Sequence, residues 1–227
     1  EDIFYGQVKY ESSPLNRVLK QMAPGNSWAG SSVGVSNSWR TNNSTDAVRS
    51  WTVGSSGNPT STAYSTGQLM VSISTDEQLH QVKQFTDKLG RVVLKQVQKG
   101  TTTNDGHADW LNTYYIYDDF GNLRYVLPPR LVEIMNPSWT WTTVDINNLA
   151  FQYTYDERNR MKTKQVPGAG EVHMVYDKLD RLILTQDANQ RAANQWSFTK
   201  YDALSRPVIT GLLATTDDRE DLQTALN

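Results

Sequence analysis

The chain has 227 residues, no cysteine and a formal net charge of −2 at pH 7. Its length suits one large β domain or two smaller ones, and its charge excludes a global field that would attract nucleic acid or an anionic membrane. The lack of cysteine excludes disulfides and thiolate metal sites but does not settle the compartment. The 7 Trp and 11 Tyr in a polar chain fit exposed β-sheet better than disorder. No apolar run approaches the ~20 residues that cross a bilayer.

Residues 1–75 are predicted to form an N-terminal β segment. A strand is expected from Ile3 to Val8, followed by a turn near residues 12–14 and a returning strand. Residues 27–67 are rich in Ser, Thr, Asn and Gly, with Trp residues interspersed, and short strands are expected at 33–39 and 47–53. Residues 54–59 are predicted to be a loop, and the alternating Leu69, Val71 and Ile73 predict a strand. No signal sequence opens the chain, and we expect it to be a piece of a longer protein.

Residues 76–227 are predicted to be an array of β-hairpins, because a short pattern recurs there. The three clear copies begin with Tyr-Asp and end with Arg, and their Asp residues lie 21 and 25 positions apart; they are Tyr155–Arg160, Tyr176–Arg181 and Tyr201–Arg206. Weaker copies are Thr86–Arg91, Tyr117–Asn122 and a degraded one from Tyr10 to Val18. Alternating aromatic residues before each copy predict a strand with one buried face.

The residue types within each copy predict a turn. An Asp in the first turn position accepts hydrogen bonds from nearby backbone N–H groups, and the residue three positions later must tolerate a left-handed backbone. The Arg then pairs with that Asp or stacks on a Tyr ring. The predicted turn residues are Asp87, Gly90, Asp118, Gly121, Asp156, Asn159, Asp177, Asp180, Asp202 and Ser205. The repeated Tyr and Arg residues are Tyr117, Tyr155, Arg160, Tyr176, Arg181, Tyr201 and Arg206.

Two or three short helices are expected beside the hairpins. Pro128-Pro129 favours a helix start before Leu131 to Met135, a second helix is expected at 144–149, and Asp217 with Glu220 predicts a cap for a helix ending at Leu226. Trp196 and Phe198 share a strand face with Tyr201 only if one extra residue is accommodated near Thr199-Lys200, which predicts a β-bulge. An array cut from a longer one also predicts strand-edge self-association, or a C-terminal helix packed across the open side through Leu222 and Leu226.

Three kinds of functional site were weighed. Asp156, Asp177 and Asp202, with Glu157, are carboxylates of the type that perform acid–base work on a glycoside, but a residue repeated in every copy is better explained by turn formation. His80, His107 and His173 have no second ligand at metal spacing; Glu171 and His173 share one strand face. Trp139 and Trp141 would share a face as a glycan-stacking pair, although core packing is the favoured role of the Trp residues. We therefore expect no enzyme activity, no cofactor and no metal.

The chain resembles the Rhs/YD-repeat family, in the form common in large secreted or wall-associated proteins of Bacteroidetes-type bacteria. The matching stretches cover most of the chain and are weakest between about 26 and 70; they are residues 10–25, 85–97, 153–170, 174–187 and 196–211. The resemblance implies hairpins that spiral into a shell around a C-terminal toxin or cargo domain, or a surface protein that serves adhesion.

The residues predict a mainly β protein: a curved antiparallel sheet of tandem hairpins with two or three short helices. The family resemblance further implies that this sheet forms part of a shell and that the chain is a structural segment of a secreted or cell-surface polymorphic-toxin or wall-associated protein. Its expected partners are the remaining repeats and the C-terminal domain of the parent protein. The alternative is a glycan-binding adhesion module that uses exposed aromatic residues.

Overall fold

The computed structural model describes residues 2–54 and 59–226, so most of the loop predicted at 54–59 lies outside the described residues. The protein is mainly β, and fourteen of its strands form one large antiparallel sheet that is not closed into a barrel. The strands of this sheet follow chain order, while β4 and β5 form a separate two-stranded sheet. The strands are β1 (Gln7–Tyr10), β2 (Val18–Met22), β3 (Val35–Thr41), β4 (Arg49–Val53), β5 (Pro59–Ala63), β6 (Met70–Thr75), β7 (Gln81–Thr86), β8 (Val92–Gln98), β9 (Trp110–Tyr117), β10 (Leu123–Leu127), β11 (Phe151–Tyr155), β12 (Met161–Gln165), β13 (Val172–Tyr176), β14 (Leu182–Gln186), β15 (Gln195–Tyr201) and β16 (Pro207–Ala214).

The predicted antiparallel sheet of hairpins is confirmed, and its expected curvature into part of a shell stays a prediction. The first strand begins later than the sequence suggested, at Gln7 rather than Ile3. A strand needs a pairing partner as well as alternating residues, and β1 pairs only where Met22 and the residues before it lie opposite.

The described residues include four short α-helices beside the sheet: α1 (Pro129–Met135), α2 (Thr143–Leu149), α3 (Ala188–Ala192) and α4 (Arg219–Leu226). Three of them were expected, whereas α3 was not, because five residues are too few for a helical period to show. The cap of α4 also differs by one residue. The Asp218 carboxylate, not that of Asp217, accepts the N–H of Asp221. Among the described residues, no helix has the length and apolar character needed to span a bilayer.

Residues 1–115 form the first of two compact units. The core of this unit includes Val71, Phe85, Leu94 and Tyr114. All four are fully buried, and each comes from a different strand of the large sheet. The predicted boundary between residues 75 and 76 falls at the end of β6, and as a division by sequence character it stays a prediction.

Residues 116–227 form the second unit, which contains the three clear copies of the motif. Val175, Leu184 and Trp196 form a buried cluster on one face of its strands. Leu222 and Leu226 of α4 pack against that cluster, which confirms the predicted packing of the C-terminal helix. The helix does not cover the last strand, however: all eight residues of β16 are exposed.

The extra residue predicted near Thr199-Lys200 of β15 is not there: a β-bulge occurs at this place, but it lies on the opposite strand, and β15 pairs without interruption from Gln195 to Tyr201. Lys200 pairs with Ile209 and Tyr201 pairs with Pro207, so Val208 of β16 has no counterpart. The same skip occurs two residues after the motif Arg in the other clear copies, at Lys162 and Ile183. It recurs at Leu19 and Val93 in two weaker copies. The bulge therefore belongs to the repeat and is not peculiar to the third copy.

Candidate functional site

Each turn of the repeat is organised by its Asp. In the second clear copy, one carboxylate oxygen of Asp177 accepts the N–H groups of Leu179 and Arg181, both at 2.9 Å. The Asp180 N–H donates to the Asp177 carbonyl at 3.1 Å, and Asp180 adopts the left-handed backbone with φ 61°. The turns that begin at Asp87, Asp118, Asp156 and Asp202 have the same two hydrogen bonds to the carboxylate. In each, the residue three positions after the Asp is left-handed.

The motif Arg closes its own turn. Arg181 Nε donates to the second carboxylate oxygen of Asp177 at 2.7 Å, and Arg160 and Arg206 make the same bond at 2.7 Å with Asp156 and Asp202. The backbone N–H and then the guanidinium of Arg206 hold the pKa of the Asp202 carboxyl below its ordinary value. These carboxylates are therefore charged at neutral pH and committed to hydrogen bonds within their own turns.

The motif Tyr connects one hairpin to the preceding one. Its hydroxyl donates to a backbone carbonyl of the preceding hairpin. The acceptor is the residue that directly follows the motif of that hairpin. Tyr176 donates to Met161 at 2.8 Å and Tyr201 donates to Leu182 at 2.9 Å. In the first clear copy, Tyr155 donates to Leu123 at 3.0 Å. In these three steps, one phenol therefore joins two neighbouring hairpins at the same place.

The motif Arg also reaches forward to the next turn. The Arg160 guanidinium lies 5.0 Å from the ring centre of Tyr176, and its Nη1 donates to Asp180 at 2.9 Å. The Arg181 guanidinium repeats the first contact with Tyr201 at 5.1 Å. It lies 3.5 Å from the hydroxyl of Ser205, which occupies the position of Asp180 in the next turn. In the preceding step, Asn122 donates to Asn159 at 3.0 Å. We call this series of Tyr and Arg contacts between successive hairpins the hairpin ladder.

The sequence prediction missed one turn of the same kind. Asp76 accepts the N–H groups of Gln78 and His80 at 2.9 and 2.8 Å, and Leu79 occupies the left-handed position with φ 70°. Thr75 replaces Tyr, Leu79 replaces the usual Gly or Asn, and His80 replaces Arg. Only the Asp remained as a signal, and its distance of 11 positions from Asp87 does not match the spacing of the clear copies.

The degraded copy at the N-terminal end keeps the turn with different residues. Glu11 replaces the Asp and forms a two-pronged ion pair with Arg17, at 2.9 Å to Nε and 2.8 Å to Nη2. The Arg17 and Ser13 hydrogen bonds lower the pKa of Glu11 to about 2. Asn16 supplies the left-handed backbone with φ 48°. The longer Glu side chain spans a turn that has two more residues.

The carboxylates proposed as catalytic alternatives lie in separate turns. Asp156, Asp177 and Asp202 are each bound to the Arg of their own turn, and Glu157 lies beside the first of them on an exposed position. Among the described residues, no group of three His, Asp or Glu side chains is arranged to hold a metal ion. His173 contacts Glu171 at 3.3 Å, and His80 contacts its turn residue Asp76 at 3.6 Å. The expectation that the chain is not an enzyme stays a prediction.

The proposed glycan-stacking pair lies outside the sheet. Trp139 and Trp141 are in the connection between α1 and α2, and Trp139 has a left-handed backbone with φ 55°. The argument that both indoles share one strand face therefore does not apply. Both side chains are partly buried, and glycan binding by them stays a prediction. Trp110 and Trp196 are core residues, 4% and 0% exposed.

Comparison with known proteins gives one family match and several similar folds. Residues 1–41 match a family described only as a domain of unknown function, DUF6443. No curated protein matches the chain. The fold is similar to part of the crystal structures of TcdB2-TccC3-Cdc42 and of TcdB2-TccC3, each with a TM-score of 0.54 and 17% sequence identity. The alignments cover 93% and 92% of this chain but only 9% and 8% of those chains. The chain therefore spans less than a tenth of the length of these two chains.

Proposed function

We propose that this chain is a non-catalytic structural segment of a large Rhs/YD-repeat protein that is secreted or displayed at a bacterial cell surface. In that protein its hairpins would form part of a β-sheet wall that encloses a toxin or other cargo, or a surface scaffold. The repeated motif and the fold shared with part of TcdB2-TccC3 support this assignment. The hairpin ladder carries the proposal, because its Tyr and Arg residues join neighbouring hairpins instead of converging on a site.

The outer edge of β16 is the surface on which we expect a further hairpin to pair. Arg206 bonds to Asp202 as the other motif Arg residues do in their turns, yet its side chain is 71% exposed, against 10% for Arg160 and 24% for Arg181. Among the described residues, no later turn supplies Arg206 with a Tyr ring. Val208, Ile209 and Leu212 are also more than half exposed. A following hairpin would cover these groups as its predecessors cover the equivalent ones.

The edge can be tested by removing one outward backbone donor. The N–H of Thr215 donates to Asn194, so the alternation along β16 directs the N–H of Thr210 away from β15. Thr210→Pro therefore blocks pairing at the outer edge and leaves the inner hydrogen bonds in place, while Thr210→Val keeps the donor. We expect the wild type and Thr210→Val to self-associate with rising concentration in light scattering, and Thr210→Pro to stay monomeric.

A glycan titration separates the structural role from the adhesion module. Tryptophan fluorescence of the same three proteins would be followed with a panel of surface glycans. We expect no saturable change. A protein that is monomeric at every concentration and binds a sugar would contradict the structural assignment, as would association that is unaffected by Thr210→Pro.

A further inference from the structure

Neighbouring hairpins of the second unit pair over a short stretch and then separate toward their turns. β12 and β13 pair at Thr163–His173 and Lys164–Val172, and β14 and β15 pair at Leu184–Phe198 and Thr185–Ser197. Between these pairs and the turns, the strands of neighbouring hairpins are bridged by the hydroxyl of the motif Tyr. We call the spaces bridged in this way the β12–β13 gap and the β14–β15 gap.

Helix α4 fills the β12–β13 gap with two polar side chains. Arg219 Nε donates to the Met174 carbonyl at 2.9 Å. The Gln223 carboxamide donates to the Tyr176 carbonyl at 2.8 Å and accepts the Tyr176 N–H at 3.0 Å. The two residues are four positions apart, so they lie on one face of the helix, and both are buried. Gln223 thus pairs with the edge of β13 as a neighbouring strand would.

A guanidinium occupies the corresponding position one hairpin earlier. Arg124 Nε donates to the Tyr153 carbonyl at 2.9 Å. Tyr153 lies two residues before the motif Tyr155, just as Met174 lies two residues before Tyr176. The carbonyl at this position of the repeat therefore binds an Arg side chain in both hairpins.

The same backbone positions in the β14–β15 gap are Thr199 and Tyr201. The Asp202 N–H donates to the Arg206 carbonyl, on the side of β16. Because backbone groups alternate in direction along a strand, the N–H and C=O of Tyr201 point the other way, toward β14. No side chain in the described part of the chain bonds to these groups. In their place the gap opens into a cavity of about 650 Å³. Its apolar walls are Ile183, Leu184, Phe198, Leu213, Leu222 and Leu226.

The spacing of the repeat suits a second helix at this place. One hairpin advances the sheet by two strands, about 9.6 Å, and packed helices lie about 8–10 Å apart. A helix in the β14–β15 gap would therefore lie beside α4 at a normal packing distance. The side of α4 that faces the cavity carries Leu222, Ala225 and Leu226, and the small Ala225 leaves room for a close neighbour.

We propose that the β14–β15 gap is a docking site for an amphipathic helix of a polypeptide partner that carries Arg and Gln four residues apart, with Leu residues beside them. The Arg would bind the Thr199 carbonyl and the Gln would bind the N–H and C=O of Tyr201, as Arg219 and Gln223 do one hairpin earlier. The Leu side chains would fill the apolar cavity. The site does not depend on the structural function proposed above, because it uses the gap between β14 and β15 and not the outer edge of β16.

The test uses the α4 sequence itself as the probe. A fluorescent peptide of residues 215–226, kept helical by a hydrocarbon staple across positions 220 and 224, is titrated into the intact chain and followed by anisotropy. The matched peptide carries Ala at the positions of Arg219 and Gln223. We expect saturable binding of the first peptide and at least tenfold weaker binding of the second. In an amide NMR spectrum, the signals of Thr199 and Tyr201 should shift and that of Tyr176 should stay in place.

Two protein variants distinguish docking in the cavity from displacement of α4. Ala225→Trp places an indole in the cavity and should weaken the peptide at least tenfold, whereas Thr224→Trp, on the opposite side of α4, should not. The proposal is overturned if the peptide does not saturate the folded wild type, if the two peptides bind equally, or if Ala225→Trp binds as the wild type does. A shift of the Tyr176 amide would show exchange with α4 and would overturn it as well.

Discussion

At the scale of single residues, the turn Asp is the residue that most narrowly defines the repeat. Asp177 accepts two backbone N–H groups and one guanidinium N–H, so one carboxylate satisfies three donors of a five-residue turn. Glutamate replaces it only where the turn is longer, at Glu11. This geometric demand explains why an Asp survives in a copy that has lost the Tyr and the Arg.

Removal of the Asp177 carboxylate should destabilise the chain. We expect Asp177→Ala to lower the free energy of unfolding by about 2 kcal/mol, because it leaves the N–H groups of Leu179 and Arg181 and the Arg181 guanidinium without their acceptor. Lys178→Ala, at an exposed position of the same turn, is the control and should change stability by less than about 0.5 kcal/mol. Urea denaturation measures both, and equal stability of the two variants would contradict the turn role.

Leu79 offers the opposite experiment, a gain in stability. It has a left-handed backbone with φ 70°, which is strained for a residue with a side chain. Its side chain is 75% exposed, so packing does not offset that strain. Leu79→Asn should raise the free energy of unfolding by about 0.5–1 kcal/mol, since Asn tolerates this conformation. Leu89 is equally exposed but is not left-handed, and Leu89→Asn should have no such effect in the same urea titration. A gain in both variants, or in neither, would contradict the strain argument.

At the scale of elements, hairpins were predictable because alternation and turn residues are local signals. The bulge was predicted on the wrong strand because the extra residue, Val208, becomes visible only when the two strands are aligned. Helix α3 was missed because it relies on the capping box of Asp187 and Gln190 and on no apolar period. The pairing of α4 with β13 joins residues 47 positions apart, which no local pattern shows.

The loop between β8 and β9 contains a buried polar contact that should respond to pH. His107 Nε2 lies 2.8 Å from the hydroxyl of Tyr114, which also accepts the N–H of Arg49 at 2.9 Å. Burial, and then the charge of Arg49, lower the pKa of His107 to about 4. The unfolded chain therefore binds a proton at His107 at a pH where the folded chain does not.

The sign of this effect follows from the lowered pKa. The contribution of neutral His107 to stability is complete above about pH 6.5 and is lost as the pH falls toward 4. We expect the free energy of unfolding to fall by about 2 kcal/mol between pH 7 and pH 5. His107→Gln, which keeps a polar group beside Tyr114, should largely remove that slope in denaturation curves. The carboxyls of Asp156, Asp177 and Asp202, whose pKa values lie below their ordinary value, weaken the fold only at lower pH. An unchanged slope in the variant would contradict the assignment.

At the scale of the whole molecule, the motif residues have two kinds of role. The Asp and the left-handed residue build each hairpin, and the sequence predicted their part from local chemistry. The Tyr and Arg also join one hairpin to the next, across 15 to 32 positions for the Tyr hydroxyl bonds. That second role was not predictable from one copy, because it depends on the register between hairpins. It supports the proposal that further repeats extend the sheet.

Replacement of the three motif Arg residues tests this claim most directly. Each of Arg160, Arg181 and Arg206 bonds to the Asp of its own turn, but within the described part of the chain only the first two also contact a following turn. We expect Arg160→Gln and Arg181→Gln to lower the free energy of unfolding by about 1.5–3 kcal/mol, since both lose a charged hydrogen bond and a contact with a Tyr ring. Arg206→Gln loses one exposed ion pair and should cost less than about 0.5 kcal/mol. Equal losses for all three variants in urea denaturation would show that the motif Arg acts only within its own turn, and would contradict the hairpin ladder.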